Sequence, residues 1–477
     1  MTFPSSWQSW LAFVVFVVDV AASVHVVLHK RDSRSAIGWV GLIWLTPGIG
    51  ALLYALLGLN RIRRTALVMQ RDRRRFASAT HATAQPEWLT GATDRRFQGL
   101  ARLAQRVSGR PLVGGNAMQP LVNGDAAYPA MRAAIDAATT SVSLCSYIFN
   151  DDVEGRQFVD ALARAARRGV QVRVLIDDVG VRYSFPPVHW SLRRAGVRVA
   201  RFLPILSGRG VAFLNLRTHR KLMVVDGRIA FAGGMNIAAP NVHDRAGRKA
   251  IRDMHFRIEG PVVRQLQDAF AEDWAFTTRE VLEGQGWFPD VENRGSVSAR
   301  TITNGPDSDF EVLRNVLLGA LSSARESVRI VTPYFVPDAQ TIAALGVCAL
   351  RGVKVDILLP SRGNIRLAEW ASRAIVWQVL KPGCRVFLSP PPFEHTKLFV
   401  VDRTWALFGT TNWDTRSLRL NFELDVECYD REVAGRLDDM IAERITLSRE
   451  YTMADADGRR FLARVRDGVA RLFSPYL

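Results

Sequence analysis

Two histidines, two lysines and two asparagines recur at matched spacing in two copies of one motif, at residues 217–236 and 393–412. The shared residues are His219, Lys221, Asp226, Gly233 and Asn236 in the first copy and His395, Lys397, Asp402, Gly409 and Asn412 in the second copy. Every pair is separated by 176 positions. A single His-x-Lys pair is weak evidence of a site, whereas a duplicated pattern of this length is strong evidence.

These side chains suit transfer of a phosphodiester. His219 and Lys221 are two positions apart in a β-type run, so both project from one face. Asp226-Gly227 predicts a two-residue hairpin turn, which returns Asn236 to the histidine end. With both copies in one site, one imidazole attacks phosphorus while the other protonates the leaving alcohol and later deprotonates the incoming one. Lysine and asparagine bind the phosphate oxygens, so this chemistry requires no metal or other cofactor.

The motif aspartates Asp226 and Asp402 belong to the catalytic set by spacing, but their position favours a structural role. Seven residues of strand put Asp226 on the order of 20 Å from His219. Other carboxylates must then orient the imidazoles. The candidates are Asp253, 34 residues after His219, and Glu423, 28 residues after His395. Which carboxylate orients which histidine stays open.

The elements that position the motifs also occur twice. Each half shows a β-rich run, a helix, a glycine-capped helix end and a second buried strand before its motif. This pattern predicts an α/β fold with two repeats that pack face to face about a pseudo-twofold axis and form one site. The predicted domains are a transmembrane helical hairpin (1–60), a basic juxtamembrane linker (61–110), the first repeat (111–276), a linker (277–300) and the second repeat with C-terminal helices (301–477).

The N-terminal segment carries two apolar runs, Trp10 to Leu28 and Ala36 to Leu57, each long enough to cross a membrane. Asp19 is expected to face the second helix or to be protonated, and Pro47 is expected to kink the second span. A cleaved signal peptide is disfavoured because residues 1–9 contain no Lys or Arg and a second span follows at once. Three basic residues in the hairpin loop against seven after the second span place the large domain in the cytoplasm.

The amino-acid composition limits the classes of binding partner. A net charge of +17 in 477 residues indicates a polyanionic partner, either a nucleic acid or an anionic membrane surface, and charge alone does not choose. Only six of the 63 basic residues are lysine, and two of these lie in the motifs, as expected where a compact ammonium is needed. The four cysteines show no metal-type spacing and are expected to be reduced and buried.

Two further stretches bear on the membrane. The apolar approach to the first motif, residues 202–214, suits acyl chains better than a sugar-phosphate backbone, although a buried loop explains it equally well. The amphipathic stretch 461–472 is interpreted as packing onto the domain, with membrane contact as the weaker alternative.

The motifs resemble the twin motifs of the phospholipase D superfamily. Within it, the chain resembles the bacterial cardiolipin synthases along nearly its whole length. The resemblance rests on the membrane hairpin and on the segments 215–221, 332–338, 416–423 and 472–477. One departure is Gly234, which stands where the superfamily often has serine, whereas Thr410 keeps a hydroxyl in the second copy.

The resemblance implies that a phosphatidyl group passes from one phosphatidylglycerol to another through a phosphohistidine, giving cardiolipin and glycerol. By position, His219 is the nucleophile and His395 the general acid and base. Lys221, Lys397, Asn236 and Asn412 bind phosphate, and Asp253 and Glu423 orient the histidines. The implied partners are phosphatidylglycerol, other membrane lipids and the anionic membrane surface, with no nucleic acid. The implied location is the bacterial inner membrane, as a multi-pass protein.

Three alternatives stay open. The site chemistry equally suits a phospholipase D-type hydrolase, or a transferase that uses another phospholipid or alcohol. A membrane-bound nuclease fits the basic charge but not the apolar approach to the first motif. A non-catalytic membrane scaffold is disfavoured because both copies of the phosphate-site residues are intact. The oligomeric state is not predicted.

Overall fold

The computed structural model describes residues 7–30, 32–58, 94–204, 216–305 and 311–474. The chain divides into two compact units, residues 1–67 and 68–477. Most of the predicted basic linker, up to residue 93, and part of the apolar stretch 202–214 lie outside the described residues.

The first unit is an apolar helix followed by a broken helical segment. Its helices are α1 (Trp7–His29), α2 (Ser33–Leu45) and α3 (Ile49–Leu53), with a π-helical turn at Tyr54–Gly58. Among the described residues, α1 is the one helix long and apolar enough to cross a membrane. The second apolar run is interrupted at the predicted kink, since α2 has 13 residues and, at 1.5 Å per residue, covers roughly 20 Å.

The break in the second segment lies at Pro47 and Gly48. Proline removes a backbone donor, and Gly48 adopts a φ of +73° that favours glycine. The Gly48 N–H, released from helical bonding, donates to both carboxylate oxygens of Asp19 at 3.1 Å. Asp19 is 2% exposed. The prediction that Asp19 faces the second segment is therefore confirmed, and the break supplies the donor that a buried carboxylate needs.

The second unit holds both repeats. The first repeat contains β1 (Val113–Val122), α5 (Asn123–Ala137), β2 (Ser141–Ser146), α6 (Val153–Arg167), β3 (Gln171–Asp177), α7 (Val188–Arg194), β4 (Arg198–Phe202), β5 (Leu222–Val225), β6 (Ile229–Gly233), α8 (His243–Ala246), β7 (Ile251–Arg252), β8 (Met254–Glu259) and α9 (Val262–Thr278), preceded by α4 (Gln98–Ser108). Short 3₁₀ segments lie at Arg95–Phe97, Gly180–Tyr183, Ala239–Asn241 and Gly247–Lys249.

The second repeat follows a connecting segment, residues 279–296. It contains β9 (Val297–Asn304), α10 (Val312–Ser323), β10 (Ser327–Val331), β11 (Phe335–Val336), α11 (Ala339–Leu350), β12 (Lys354–Pro360), α12 (Arg366–Ile375), α13 (Trp377–Leu380), β13 (Arg385–Ser389), β14 (Phe393–Glu394), β15 (Leu398–Val401), β16 (Trp405–Gly409), β17 (Trp413–Asp414), α14 (Thr415–Arg419), β18 (Glu423–Tyr429), α15 (Arg431–Thr446), β19 (Arg449–Tyr451), α16 (Met453–Asp457) and α17 (Phe461–Leu472).

The strand order shows the pseudo-twofold relation directly. The large sheet runs β19-β13-β12-β10-β15-β16-β18-β9-β1-β8-β6-β5-β2-β3-β4. From the antiparallel pair of β1 and β9 at its centre, the order outwards is equivalent in both directions, apart from the added edge strand β19. The predicted α/β class and the duplicated repeat are confirmed. The two central strands were not predicted.

Helices cover the sheet in each repeat and enclose two separate apolar cores. In the first core, α5 and α6 pack on β2 and β3. In the second core, α10 and α11 pack on β10 and β12. The structure differs from the predicted linker over residues 98–108, since α4 buries Leu100, Ala101 and Ala104 in the second core. All four cysteines are buried and unbridged, which confirms their prediction.

Candidate active site

Each motif folds as a β-hairpin whose open end carries the histidine. In the first hairpin β5 pairs with β6, Leu222 facing Ala232, and the turn residues Asp226 and Gly227 adopt φ values of 52° and 62°. In the second hairpin β15 pairs with β16 in the same register. The predicted hairpins are confirmed, and the pairing brings the segment of each asparagine alongside that of its histidine.

The histidines lie immediately before these hairpins, where the backbone of one repeat pairs with the other. The His219 N–H donates to the Phe422 carbonyl at 2.9 Å, and the Phe422 N–H donates to the Arg217 carbonyl at 2.8 Å. In the equivalent position, the His395 N–H donates to the Arg252 carbonyl at 2.7 Å. The backbone therefore fixes each histidine against the strand of the opposite repeat.

The carboxylates that orient the imidazoles also come from the opposite repeat. His219 Nδ1 lies 2.9 Å from Glu423 Oε2, and His395 Nδ1 lies 2.6 Å from Asp253 Oδ2. Asp253 and Glu423 are fully buried, whereas the histidine side chains are 13% and 12% exposed. The sequence left open which carboxylate serves which histidine. In the structure each histidine contacts the carboxylate of the other repeat. Since each Nδ1 is held by a carboxylate, Nε2 is the nitrogen directed to a substrate.

The two motif lysines are buried beside the histidines. Lys221 Nζ donates to the His219 carbonyl at 2.7 Å, and Lys397 Nζ lies 3.0 and 3.1 Å from the two ring nitrogens of His395. Burial lowers the pKa of Lys221 to about 7 and that of Lys397 to about 8. An anion between them restores the charged form, because an opposite charge favours the ammonium.

Each of the two asparagines is held by a neighbouring segment of its own repeat. Asn236 Oδ1 accepts from the Ile148 N–H at 3.1 Å, just beyond β2. Asn412 Nδ2 lies 3.3 Å from Ser417 Oγ in α14. These contacts orient both amides at the histidine ends of their hairpins, which is where the sequence predicted them.

Asp226 and Asp402 are placed away from the histidines, which corrects their inclusion in the catalytic set. The Asp226 carboxylate accepts from the backbone N–H groups of Thr139, Thr140 and Ser141 at 2.7 to 3.2 Å. Asp402 accepts from the backbone N–H groups of residues 325, 326 and 327 at 2.8 to 3.0 Å. Both aspartates therefore hold the start of β2 or β10, at the end opposite the histidines.

The two histidine–carboxylate pairs differ in the pKa of the carboxyl group. Burial, reinforced by the nearby lysines, lowers the pKa of His395 to about 4 and holds the pKa of His219 well below its ordinary value. Burial alone would raise the pKa of Asp253, but the ammonium of Lys397 and the bond from His395 outweigh it and lower that pKa. Burial raises the pKa of Glu423 to about 7. Asp253 is therefore the more firmly ionised partner.

The residue after each motif glycine contacts the orienting carboxylate of its repeat in a different way. Thr410 Oγ1 donates to Glu423 Oε2 at 2.6 Å, so its hydroxyl contacts the orienting carboxylate rather than an open phosphate site. At the matching position, a Cβ on Gly234 would lie 2.4 Å from Asp253 Oδ1. Because Gly234 has no side chain, the shorter aspartate can approach the backbone there. The glycine that replaces the usual serine thus makes room for Asp253.

Aromatic residues complete the site, and they were not predicted from the sequence. The Tyr147 ring packs edge-on to His219 at 5.3 Å, and Lys221 Nζ lies 5.6 Å from the centre of the same ring. In the second repeat, Phe393 lies 5.8 Å from His395, and Tyr334 lies 6.5 Å from Phe393. Tyr147 follows β2 by one residue and Tyr334 follows β10 by three, and this placement after the strands that pair with the motif hairpins was the available sequence signal.

Comparison with known proteins agrees with this geometry. Residues 131–274 and 317–445 match the family described as cardiolipin synthase, phospholipase D-like domain. Residues 17–58 match a phospholipase D-nuclease N-terminal family. The major cardiolipin synthase of Bacillus subtilis is 31% identical over 99% of this chain and 100% of its own length. A cardiolipin synthase of Pseudomonas aeruginosa is 33% identical over 97% of this chain and 94% of its own length.

A solved structure supports the fold alone. The phosphatidylserine synthase of Haemophilus influenzae superposes with a TM-score of 0.58 at 14% identity. The match covers 79% of this chain and all of that one. Together with the apolar helix α1, the match over residues 17–58 indicates that this protein is anchored in a membrane.

Proposed function

Since the chain belongs to the cardiolipin synthase family of the phospholipase D superfamily, and is thus a phosphatidyltransferase, we propose that it joins two phosphatidylglycerol molecules. The products are cardiolipin and glycerol, and the intermediate is a phosphatidyl group on histidine. The observation that carries this proposal is the crossed pairing of His219 with Glu423 and His395 with Asp253, which combines both motifs into one site.

The unequal carboxylates support distinct roles for the two histidines. A nucleophile must be neutral, and His219 has a strongly lowered pKa beside a carboxyl whose pKa is raised. A general acid must carry a proton. Free His395 is neutral at pH 7 because its pKa is about 4, and the ionised Asp253, 2.6 Å away, stabilises the imidazolium that forms when the substrate binds. A bound phosphodiester anion adds to that stabilisation. His219 is thus the nucleophile, and His395 is the acid and base.

The reaction proceeds in two balanced steps. His219 Nε2 forms a bond to phosphorus, the bond from phosphorus to the glycerol oxygen breaks, and His395 gives its proton to that oxygen. Neutral His395 then takes the proton from a glycerol hydroxyl of the second phosphatidylglycerol, whose oxygen attacks phosphorus and displaces His219. Lys221, Lys397, Asn236 and Asn412 bind the non-bridging oxygens and stabilise the charge that develops there.

Assay of the purified full chain with phosphatidylglycerol vesicles tests this function. With phosphatidylglycerol labelled in its glycerol headgroup, one labelled glycerol should be released for each cardiolipin formed. Phosphatidic acid in place of cardiolipin would make the protein a hydrolase, and cleavage of single-stranded DNA without lipid turnover would make it a nuclease. Adding phosphatidylethanolamine, or an alcohol such as ethanol, reveals other acceptors by the mass of the product.

The membrane arrangement completes the proposal. We place the second unit on the cytoplasmic side of the bacterial inner membrane, with α1 and the broken second segment both inserted. The basic residues that flank these segments support this orientation. Protease treatment of sealed spheroplasts tests it, because a cytoplasmic second unit resists digestion until the cells are lysed.

The lowered pKa values of Lys221 and Lys397 predict that activity begins to fall at a lower pH than ordinary lysines would cause. Groups with pKa values of about 7 and about 8 lose their charge as pH rises through that range, whereas an ordinary lysine stays charged to about pH 10. We expect kcat/KM, which reports the free enzyme, to fall above pH 7 to 8. The kcat profile should fall at higher pH, because the bound anion stabilises both ammonium groups. A kcat/KM that stays level to pH 10 would contradict the proposal that charged Lys221 and Lys397 bind the phosphate.

Gly234→Ala is expected to lower kcat by on the order of 10²-fold or more, because the added Cβ displaces Asp253 from His395. Gly286→Ala is the matched control, since a Cβ there meets no atom within 4 Å. The defect should spare formation of the covalent intermediate from a substrate with an acidic leaving alcohol, which needs little help from His395. Equal loss of both steps would indicate a general disturbance of the site.

A further inference from the structure

The C-terminal helix α17 is fixed to the second repeat by one side only. Ala470 is buried against α12 in a small apolar cluster with Val336 and Ala371. Asp467 is buried and binds Arg459 and Arg466 at 2.8 and 2.7 Å. The Arg466 guanidinium also lies 4.4 Å from the ring centre of Trp370 in α12. The predicted packing of this stretch onto the domain is therefore confirmed.

The opposite side of α17 is apolar and uncovered. Its exposed residues are Phe461, Leu462, Val465, Val469 and Leu472, followed by Phe473. At about 100° per residue these six positions fall within an arc of about 120°. Phe461, Leu462 and Leu472 are 72 to 78% exposed. Single exposed apolar residues are ordinary on a protein surface, but a continuous stripe on one helix marks an interaction surface.

Arginines border this stripe, and the single acidic residue of the helix is turned away from it. Arg464 and Arg471 are exposed and lie on one flank, where the exposed Arg460 precedes the helix. Asp467 is in the buried side of the helix. An apolar stripe edged by guanidinium groups is the pattern of a helix that lies in the interface of an anionic bilayer. A net charge of +17 favours the same partner.

Helix α17 packs on elements that lead to the site. Helix α12, which carries α17, packs on β11, and β11 pairs with β17 directly after Asn412. In the first repeat, the segment after β3 exposes Tyr183 and Phe185, with Phe185 91% exposed. The Tyr183 ring lies 6.3 Å from that of Tyr147, which packs on His219. Exposed aromatic side chains thus lie near His219 in the first repeat, and in the second repeat α17 is connected through α12, β11 and β17 to the segment of Asn412.

We propose that the exposed face of α17 is a membrane-docking surface, which inserts its apolar stripe between the headgroups of an anionic phospholipid bilayer and holds the active site against the lipid. This surface is additional to the anchor at α1. The benefit to turnover rests on the proposed lipid substrate, but the docking itself does not depend on it. The arginine flank selects an anionic bilayer over a second copy of this basic chain.

An environment-sensitive fluorophore on the full-length protein tests the docking. Leu462→Cys is labelled with nitrobenzoxadiazole, and Glu432→Cys, at the exposed start of α15 and the far end of the strands, is the control. The protein is reconstituted in vesicles of phosphatidylglycerol and phosphatidylcholine at 3:7, or of phosphatidylcholine alone. We expect a blue shift, with quenching by brominated acyl chains, at position 462 in the anionic vesicles and at neither position in phosphatidylcholine.

Paired variants connect docking to turnover. Phe461→Ser/Leu462→Ser should lower kcat/KM on phosphatidylglycerol vesicles about tenfold and leave turnover of monomeric dihexanoyl phosphatidylglycerol unchanged. Val347→Ser/Leu350→Ser, an exposed apolar pair on α11, should change neither. A label at position 462 that stays in water, or a disulfide that joins two unlabelled Leu462→Cys chains at that position, would overturn the proposal. Insertion of the label without turnover of any phosphatidylglycerol would instead refute the proposed function and leave docking intact.

Discussion

His219→Ala and His395→Ala are each expected to lower phosphatidyl transfer by on the order of 10⁴-fold or more, but at different steps. Without His219 there is no nucleophile, so no lipid becomes attached to the protein. Without His395 the leaving glycerol lacks a proton donor, and a substrate whose leaving alcohol is acidic removes that need. Phosphatidyl-p-nitrophenol should therefore still transfer its phosphatidyl group to His219 in the His395→Ala variant.

The measurement is a burst of p-nitrophenol together with ³²P that remains on the denatured protein and is released by acid, as a phosphoramidate is. His395→Ala should show a burst of about one equivalent and a slow second step, since the incoming hydroxyl lacks its base. His219→Ala should show neither burst nor bound label. If the results are reversed, the two histidines exchange roles; label on neither variant would refute the covalent mechanism.

Replacing an orienting carboxylate should impair the same step as replacing the histidine that it contacts in the other repeat. Glu423→Gln is expected to impair attack by His219, because its Oε2 lies 2.9 Å from His219 Nδ1. Asp253→Asn is expected to impair proton transfer by His395, whose Nδ1 it holds at 2.6 Å. Each substitution keeps the side-chain size but allows the wrong tautomer, so losses of on the order of 10² to 10⁴ in kcat follow.

The activated substrate again separates the steps. Asp253→Asn should retain the p-nitrophenol burst, and Glu423→Gln should lose it. Combining each substitution with alanine at its partner histidine should add little, since groups that act as a unit are not additive. A pattern in which Asp253→Asn instead resembles His219→Ala would mean that the carboxylates serve the histidines of their own repeats.

Matched controls come from the structural aspartates of the motifs. Asp226→Asn weakens the bonds that hold the start of β2, so we expect a loss of unfolding free energy on the order of 1 to 3 kcal/mol. The folded fraction should keep a normal burst. A thermal scan beside the burst assay distinguishes this loss of stability from a loss of chemistry.

The sequence by itself determined the duplicated motif and the α/β repeat. Equal spacing of His219 and His395 with their lysines and asparagines identified one pattern twice, and Asp226-Gly227 specified the hairpin that aligns it. These are local relations, because side-chain alternation and turn geometry depend on neighbouring residues. The seven residues between His219 and Asp226 were enough to favour a structural role for the aspartate.

Only the tertiary structure decided which groups from distant segments meet. His219 and Glu423 are 204 positions apart, and His395 and Asp253 are 142 apart. No local rule distinguishes this crossed pairing from pairing within each repeat, because the packing of β1 against β9 sets it. Likewise, the period of residues 461–472 predicts an amphipathic helix, but Asp467 and Arg466 select the side that packs. Helical period is a property of the segment, whereas burial is a property of what surrounds it.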